Sequence, residues 1–164
     1  MTSLASQLRN SGFLGDLPDE LLDALAGIGQ ARVFPDGAII FRQGDPATQL
    51  YLVVDGQVAL EICAAAVGCK RVLTVGAGEL LGWSPVLEQG RLTATARALR
   101  AVKAIEFDGA KLLEVCERNP QLGYEFMRRV ALALAKRLSA TRLQLVDVYG
   151  SQMPAVGDPR TMGG

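Results

Sequence analysis

Residues 34–63 read FPDGAIIFRQGDPATQLYLVVDGQVALEIC, and the fold follows from how this stretch is punctuated. Its apolar residues come in short runs, each closed by turn chemistry. Pro35-Asp36-Gly37 is a turn by composition. Ala38 to Arg42 then reads as a strand, ended by Gln43-Gly44-Asp45-Pro46. Gln49 to Val54 is a second strand, and Asp55-Gly56 is the strongest two-residue hairpin signal in the chain. Gln57 to Cys63 returns as a third. Many short strands with turns at near-regular intervals predict a sandwich, barrel or roll.

Moving outward, Arg32 to Phe34 is a strand before this stretch and Lys70 to Val75 one after it, with Ala64 to Gly68 as a hairpin tip. Ala101 to Phe107 is the last strand. Leu17 to Ile28 reads as a helix, with Pro18 at its first position and Asp19 and Glu20 where the dipole favours negative charge. Residues 1–16 are expected to form an N-terminal arm. Helix returns at Asp108, a capping residue, and stops at Asn119-Pro120. A long helix then covers 120–149. Within it Met127, Ala131, Leu134, Leu138, Thr141, Leu145 and Val148 alternate steps of four and three. That spacing is the seam of a helix that pairs along its length with another helix, and it predicts a homodimer through 120–149. Phe126, Val130 and Ala133 offer a second face for packing on the protein's own strands. Residues 150–164, rich in Gly and Pro, read as a flexible tail.

Composition narrows the chemistry. The 17 basic and 17 acidic residues balance, so no nucleic-acid or anionic-membrane surface is indicated. The absence of histidine removes the commonest acid/base and transition-metal ligand, and no metal site is expected. Cys63, Cys69 and Cys116 have no CxxC spacing, and an odd count argues against a complete disulfide framework. Cys63 and Cys69 flank the hairpin and could meet across it, but are expected to pack without bonding, in a reduced, cytoplasmic protein. No signal-peptide core is present at the N-terminus, and no apolar run approaches the roughly 18 residues of a membrane span.

Residues 75–99, VGAGELLGWSPVLEQGRLTATARAL, are the candidate binding stretch. Ser84 and Pro85 suit the cap and first position of a short helix, whose free N–H groups favour an anion. A loop ending in Arg91 and a strand of small residues follow.

Phe34-Pro35-x-Gly37-x-x-Ile40-Phe41-x-x-Gly44-Asp45, followed by Tyr51-x-Val53-x-x-Gly56-x-Val58-x-Leu60, resembles the signature of cyclic nucleotide-binding domains. These are the sensor domains of Crp/Fnr transcription regulators, of protein kinase A regulatory subunits and of gated channels. The resemblance covers about Leu17 to Tyr149. It implies a mainly β fold with flanking helices: a double-stranded β-helix, or jelly-roll-like β-roll, followed by a long dimerisation helix. Residues 75–99 then resemble the family's phosphate-binding cassette, in which a Gly-Glu holds the ribose hydroxyl and an Arg before Ala-Thr pairs with the cyclic phosphate. Aligned on Gly82 and on Ala94-Thr95, the Glu position holds Trp83 and the Arg position holds Leu92, with Arg91 one residue early and Thr93 next in the strand. A one-residue slip turns a strand side chain to the other face. A second register puts Gly78-Glu79 on the Gly-Glu motif, at the cost of a longer loop. Either way the usual cyclic AMP ligands are not in place. Trp83 either fills the ribose space or is a core aromatic. Thr141 either faces an adenine, as the resemblance implies, or is a tolerated polar residue in the seam.

The resulting expectation is a non-catalytic, stand-alone sensor that takes a cyclic nucleotide or other small anion, or no ligand at all. It would be read by an unidentified protein partner. No helix-turn-helix follows residue 149, so direct DNA binding is not expected.

Overall fold

The computed structural model describes residues 3–87, 90–157 and 160. In chain order the elements are α1 (Leu4–Arg9), α2 (Asp19–Ala26), β1 (Gly29–Phe34), β2 (Ile39–Phe41), β3 (Gln49–Asp55), β4 (Gln57–Ala64), β5 (Gly68–Gly76), β6 (Leu80–Leu81), β7 (Thr95–Ala98), β8 (Val102–Asp108), α3 (Gly109–Arg118) and α4 (Pro120–Tyr149). The chain forms two compact units, Met1–Arg129 and Val130–Gly164.

The first unit is a roll of two antiparallel sheets, ordered β1-β8-β3-β6 and β2-β7-β4-β5. Strand alternation explains its core. Phe34, Tyr51, Val53, Val58, Val75, Leu81, Ala96, Ala98, Val102 and Ala104 form one buried cluster. Leu50 and Leu52, at the intervening positions of β3, point to the other face and are also fully buried. A central strand covered on both faces carries the continuous apolar run Leu50–Val53.

Several expected boundaries move. β6 is only two residues long, too short for a periodic signal. α2 is shorter than the expected Leu17–Ile28, because Pro18 is its N-cap, with ψ of 148°, and not its first helical residue. Gly29 opens β1, so it does not act as a helix stop. Asp108 caps α3 as expected, its carboxylate accepting from the Lys111 N–H at 3.0 Å. α4 begins and ends where expected, and Gly150–Gln152 adds a single 3-10 turn. The remaining expected tail residues 158, 159 and 161–164 lie outside the described residues, as do Met1 and Thr2 of the expected arm.

The N-terminal segment is fastened to the roll. Leu8, Leu14 and Leu17 are buried. Arg9 donates to the carbonyls of Gly15 (3.1 Å) and Leu17 (2.8 Å) and pairs with Asp19. Phe13 meets Phe126 edge-on, ring centres 5.8 Å apart. Arg129, largely buried, bonds Glu125 at 2.5 Å and reaches Asp16. The Arg129 guanidinium holds the Asp16 carboxyl below the usual carboxylate range.

The expectation that Cys63 and Cys69 merely pack is overturned: they form a disulfide. They are directly opposed in the β4–β5 ladder, and opposed residues share a face. The hairpin tip between Ala64 and Gly68 sets this pairing, and the two cysteines that flank it meet across it. The odd cysteine is Cys116, free and buried, its thiol pushed up by burial.

Candidate functional site

The cassette segment starts where β6 ends. Gly82 has φ of +73°, and a Cβ there would lie 3.1 Å from the Gln49 carbonyl and 3.5 Å from the Phe41 ring. Only glycine suits both the backbone and the space. Beyond it the chain does not make the expected short helix. The Trp83 carbonyl accepts from Val86 N–H at 3.0 Å and from Leu87 N–H at 3.3 Å, and residues 84–87 form one turn. Pro85 at the second position of the turn sets its own φ, but no apolar period follows to propagate a helix. A helical array of free N–H groups is therefore not present at Ser84. Ser84 and Val86 are buried, and Trp83 is half-buried. Glu88 and Gln89, in the loop before Arg91, lie outside the described residues.

Before β7 begins, Arg91 makes an isolated bridge to Pro46 and residues 93 and 94 are bends. Arg91 and Thr93 are exposed, and Leu92 between them is 8% exposed. Leu92 is thus turned into the protein while Arg91 stands at the surface. The Arg91 guanidinium donates to the Gly44 carbonyl at 2.8 Å. Residues 43–47 hold the whole strand. Gly44 N–H donates to the Leu92 carbonyl (2.8 Å), Leu92 N–H to the Asp45 carbonyl (2.9 Å), and Ala47 N–H to the Gly90 carbonyl (3.1 Å). Gln43 N–H donates to Thr95 Oγ1 at 2.9 Å.

Glu79 has another task. Its carboxylate accepts from Gly76 N–H at 2.6 Å and closes the turn between β5 and β6.

On the inner side of Leu92 lies a cavity of about 120 Å³, with Ile40, Phe41, Asp45, Gln49 and Tyr51 among its walls. Ordinary small-molecule pockets are larger, about 300–1,000 Å³. Its floor is polar. Glu106, buried, bonds Arg32 at 2.5 Å, and the Gln49 amide nitrogen, turned toward it, lies 3.1 and 3.2 Å from its two oxygens. Burial, then the Glu106 charge, pushes the Tyr51 hydroxyl up to about 12. Arg32 also lies over the Phe34 ring, 5.2 Å from its centre.

The expected seam residues are on α4. Met127, in the first unit, is half-buried. In the second unit Leu134 is half-buried, and Ala131, Leu138, Thr141, Leu145 and Val148 are exposed. The Thr141 hydroxyl donates to the Arg137 carbonyl at 2.8 Å.

Two contributors escaped the sequence reading. Gly109 opens α3 against the cassette turn: a Cβ there would lie 2.3 Å from the Pro85 Cβ. Its only signal was its place behind the capping Asp108, where most residues are tolerated. Gln43 was read as part of a turn and carried no signal of its own.

The family model for the cyclic nucleotide-binding domain matches residues 31–119, more than half of the chain. The chain belongs to the cyclic nucleotide-binding domain family. Within this family, the chain is 33% identical to a Geobacter metallireducens protein to which cyclic nucleotide binding is ascribed, covering 84% of this chain and 99% of that one, with a TM-score of 0.72. It is 26% identical over 148 residues to a CRP-like cAMP-activated global transcriptional regulator of Mycobacterium tuberculosis, covering 90% of this chain and 64% of the relative. A Rhodopseudomonas palustris protein with an ascribed potassium channel role is 29% identical over 121 residues, 74% of this chain and 28% of its own length. The chain therefore spans less than two thirds of either curated relative. Its β-roll with flanking helices and long final helix is the family fold. Among the described residues, no helix is long and apolar enough to cross a membrane, and no cluster of three or more His, Cys, Asp or Glu could hold a metal ion.

Proposed function

We propose that this chain is a non-catalytic, cytoplasmic regulatory domain, dimeric through α4, whose cassette is degenerate toward cyclic AMP. One observation carries this reading: Leu92 is buried where the family pattern sets an arginine, while Arg91 is turned outward onto the Gly44 carbonyl. A cyclic phosphate needs a guanidinium and backbone donors, and a ribose hydroxyl needs an acceptor. With Trp83 and Leu92 at those positions, two charge-assisted bonds worth roughly 1.5–3 kcal/mol each are missing. The effector is then a small anion or a cyclic nucleotide held weakly. Ligand would change the presentation of α4, which a protein partner reads.

The test is a thermal-shift series with cyclic AMP, cyclic GMP and other small anions. A rise in melting temperature with at least one of them supports a sensor. No rise with any at millimolar concentration removes the sensor and leaves a second reading, a ligand-free interaction dimer. The burial of Leu92 favours that second reading too, because it closes the pocket with the chain's own side chain.

A further inference from the structure

The β4–β5 hairpin extends past the end of its sheet. β4 pairs with β7 only from Val58 to Glu61, while its ladder with β5 continues to Ala64. Beyond Glu61, the neighbour of β4 on the β7 side is a side chain. Gln43 Oε1 accepts from Cys63 N–H at 2.9 Å, and Gln43 Nε2 donates to the Cys63 carbonyl at 3.3 Å. The amide thus takes the place of a β7 residue on both polar groups of Cys63. The same residue's backbone N–H holds Thr95, and its neighbours Gly44 and Asp45 hold Leu92 and Arg91. One short path of hydrogen bonds therefore joins the disulfide at the hairpin to the cassette strand.

The bond is placed to be reached. Cys69 and the tip residues Ala64 to Gly68 are exposed. It closes a loop of six residues' separation, the kind that removes little unfolded-chain entropy. In a reducing compartment, an exposed disulfide of this sort is typically a cycling group. We propose that the Cys63–Cys69 disulfide is a redox latch that sets the order of the cassette strand through Gln43. It is opened by a dithiol reductant. One thiolate of the reductant attacks one sulfur of the Cys63–Cys69 bond, breaks that bond, forms a mixed disulfide and releases the other cysteine as a thiolate. The reductant's second thiolate displaces the protein sulfur, so the reductant leaves as its own disulfide. Two electrons pass to the protein, and Cys63 and Cys69 each gain a proton. With the staple open, the paired ends of β4 and β5 fray, Cys63 leaves the Gln43 amide, and residues 43–45 and 91–95 loosen. Cys116 takes no part, because it is buried in α3.

The latch concerns the cassette assigned above, but its readout needs no effector. Failure of the latch and failure of the sensor reading are thus separable. The experiment is hydrogen–deuterium exchange on the full chain with and without dithiothreitol, alongside alkylation and mass analysis under denaturing conditions. Alkylation should label Cys116 alone before reduction and all three cysteines after it. On reduction, the Gly44 and Leu92 amides should exchange about fivefold faster or more, as expected when a hydrogen bond's protection is lost. Cys63→Ser/Cys69→Ser should show the fast exchange with or without reductant. Gln43→Ala should uncouple the two, leaving exchange at Leu92 unchanged by reductant while the hairpin still responds. Free thiols at Cys63 and Cys69 in the protein as isolated, or an effect of reductant confined to residues 62–70, would overturn the proposal.

Discussion

Leu92 and Arg91 show how much one residue of register decides. The offset of Arg91 is an expectation of the sequence, since Ala94-Thr95 follows, whereas the burial of Leu92 beside an exposed Arg91 belongs to the bridge and bends that precede β7. Leu92→Ala should destabilise the fold by about 2–5 kcal/mol, the usual result of emptying a buried leucine site, measured by urea unfolding. Arg91→Ala should cost under about 1.5 kcal/mol, because it removes one exposed hydrogen bond to Gly44. Tyr51 adds a pH signature. Its pKa is raised to about 12 in the folded protein, against an unfolded value near 10. The neutral hydroxyl is favoured by folding, so its contribution is intact below pH 10 and is lost as pH rises toward 12. Tyr51→Phe should flatten the fall in unfolding free energy across that window. The opposition of Cys63 and Cys69 was legible from the hairpin tip between them, but the bond was not, because opposed strand cysteines also pack without bonding.

At the scale of elements, one hairpin turn and the helix boundaries around α3 were legible. Asp55-Gly56, Asp108 and Asn119-Pro120 each punctuate the chain where their chemistry requires. Ser84-Pro85 looked like a helix start, but a cap and a proline cannot hold a helix without a face to bury, and four residues offer none. The cassette turn is instead placed by packing. Gly109, the first residue of α3, allows Pro85 to approach within a distance no Cβ tolerates. Gly109→Ala should therefore cost about 1–3 kcal/mol, a typical overpacking penalty, and raise amide exchange at Val86 and Leu87. Unchanged exchange there would mean that α3 does not position the turn.

For the whole molecule, the roll was written in the period-two pattern and its glycines. The fastening of the N-terminal segment was not, because Arg129 and Asp16 lie 113 residues apart in sequence. Leu138, Leu145 and Val148, respectively 52%, 49% and 61% exposed, leave an apolar face on α4. Leu138→Asp should shift the sedimentation of the protein from dimer to monomer if that face is the seam, and leave it unchanged if it is not. The central claim concerns the ligand, since the family fold is present while two positions of its cassette carry Trp83 and Leu92. Isothermal titration calorimetry of the full chain with cyclic AMP tests it most directly. The account predicts no binding at micromolar concentration, and a dissociation constant that is millimolar or weaker. A micromolar dissociation constant would contradict it, and would mean that Arg91 or Glu79 leaves its present partner to hold the nucleotide.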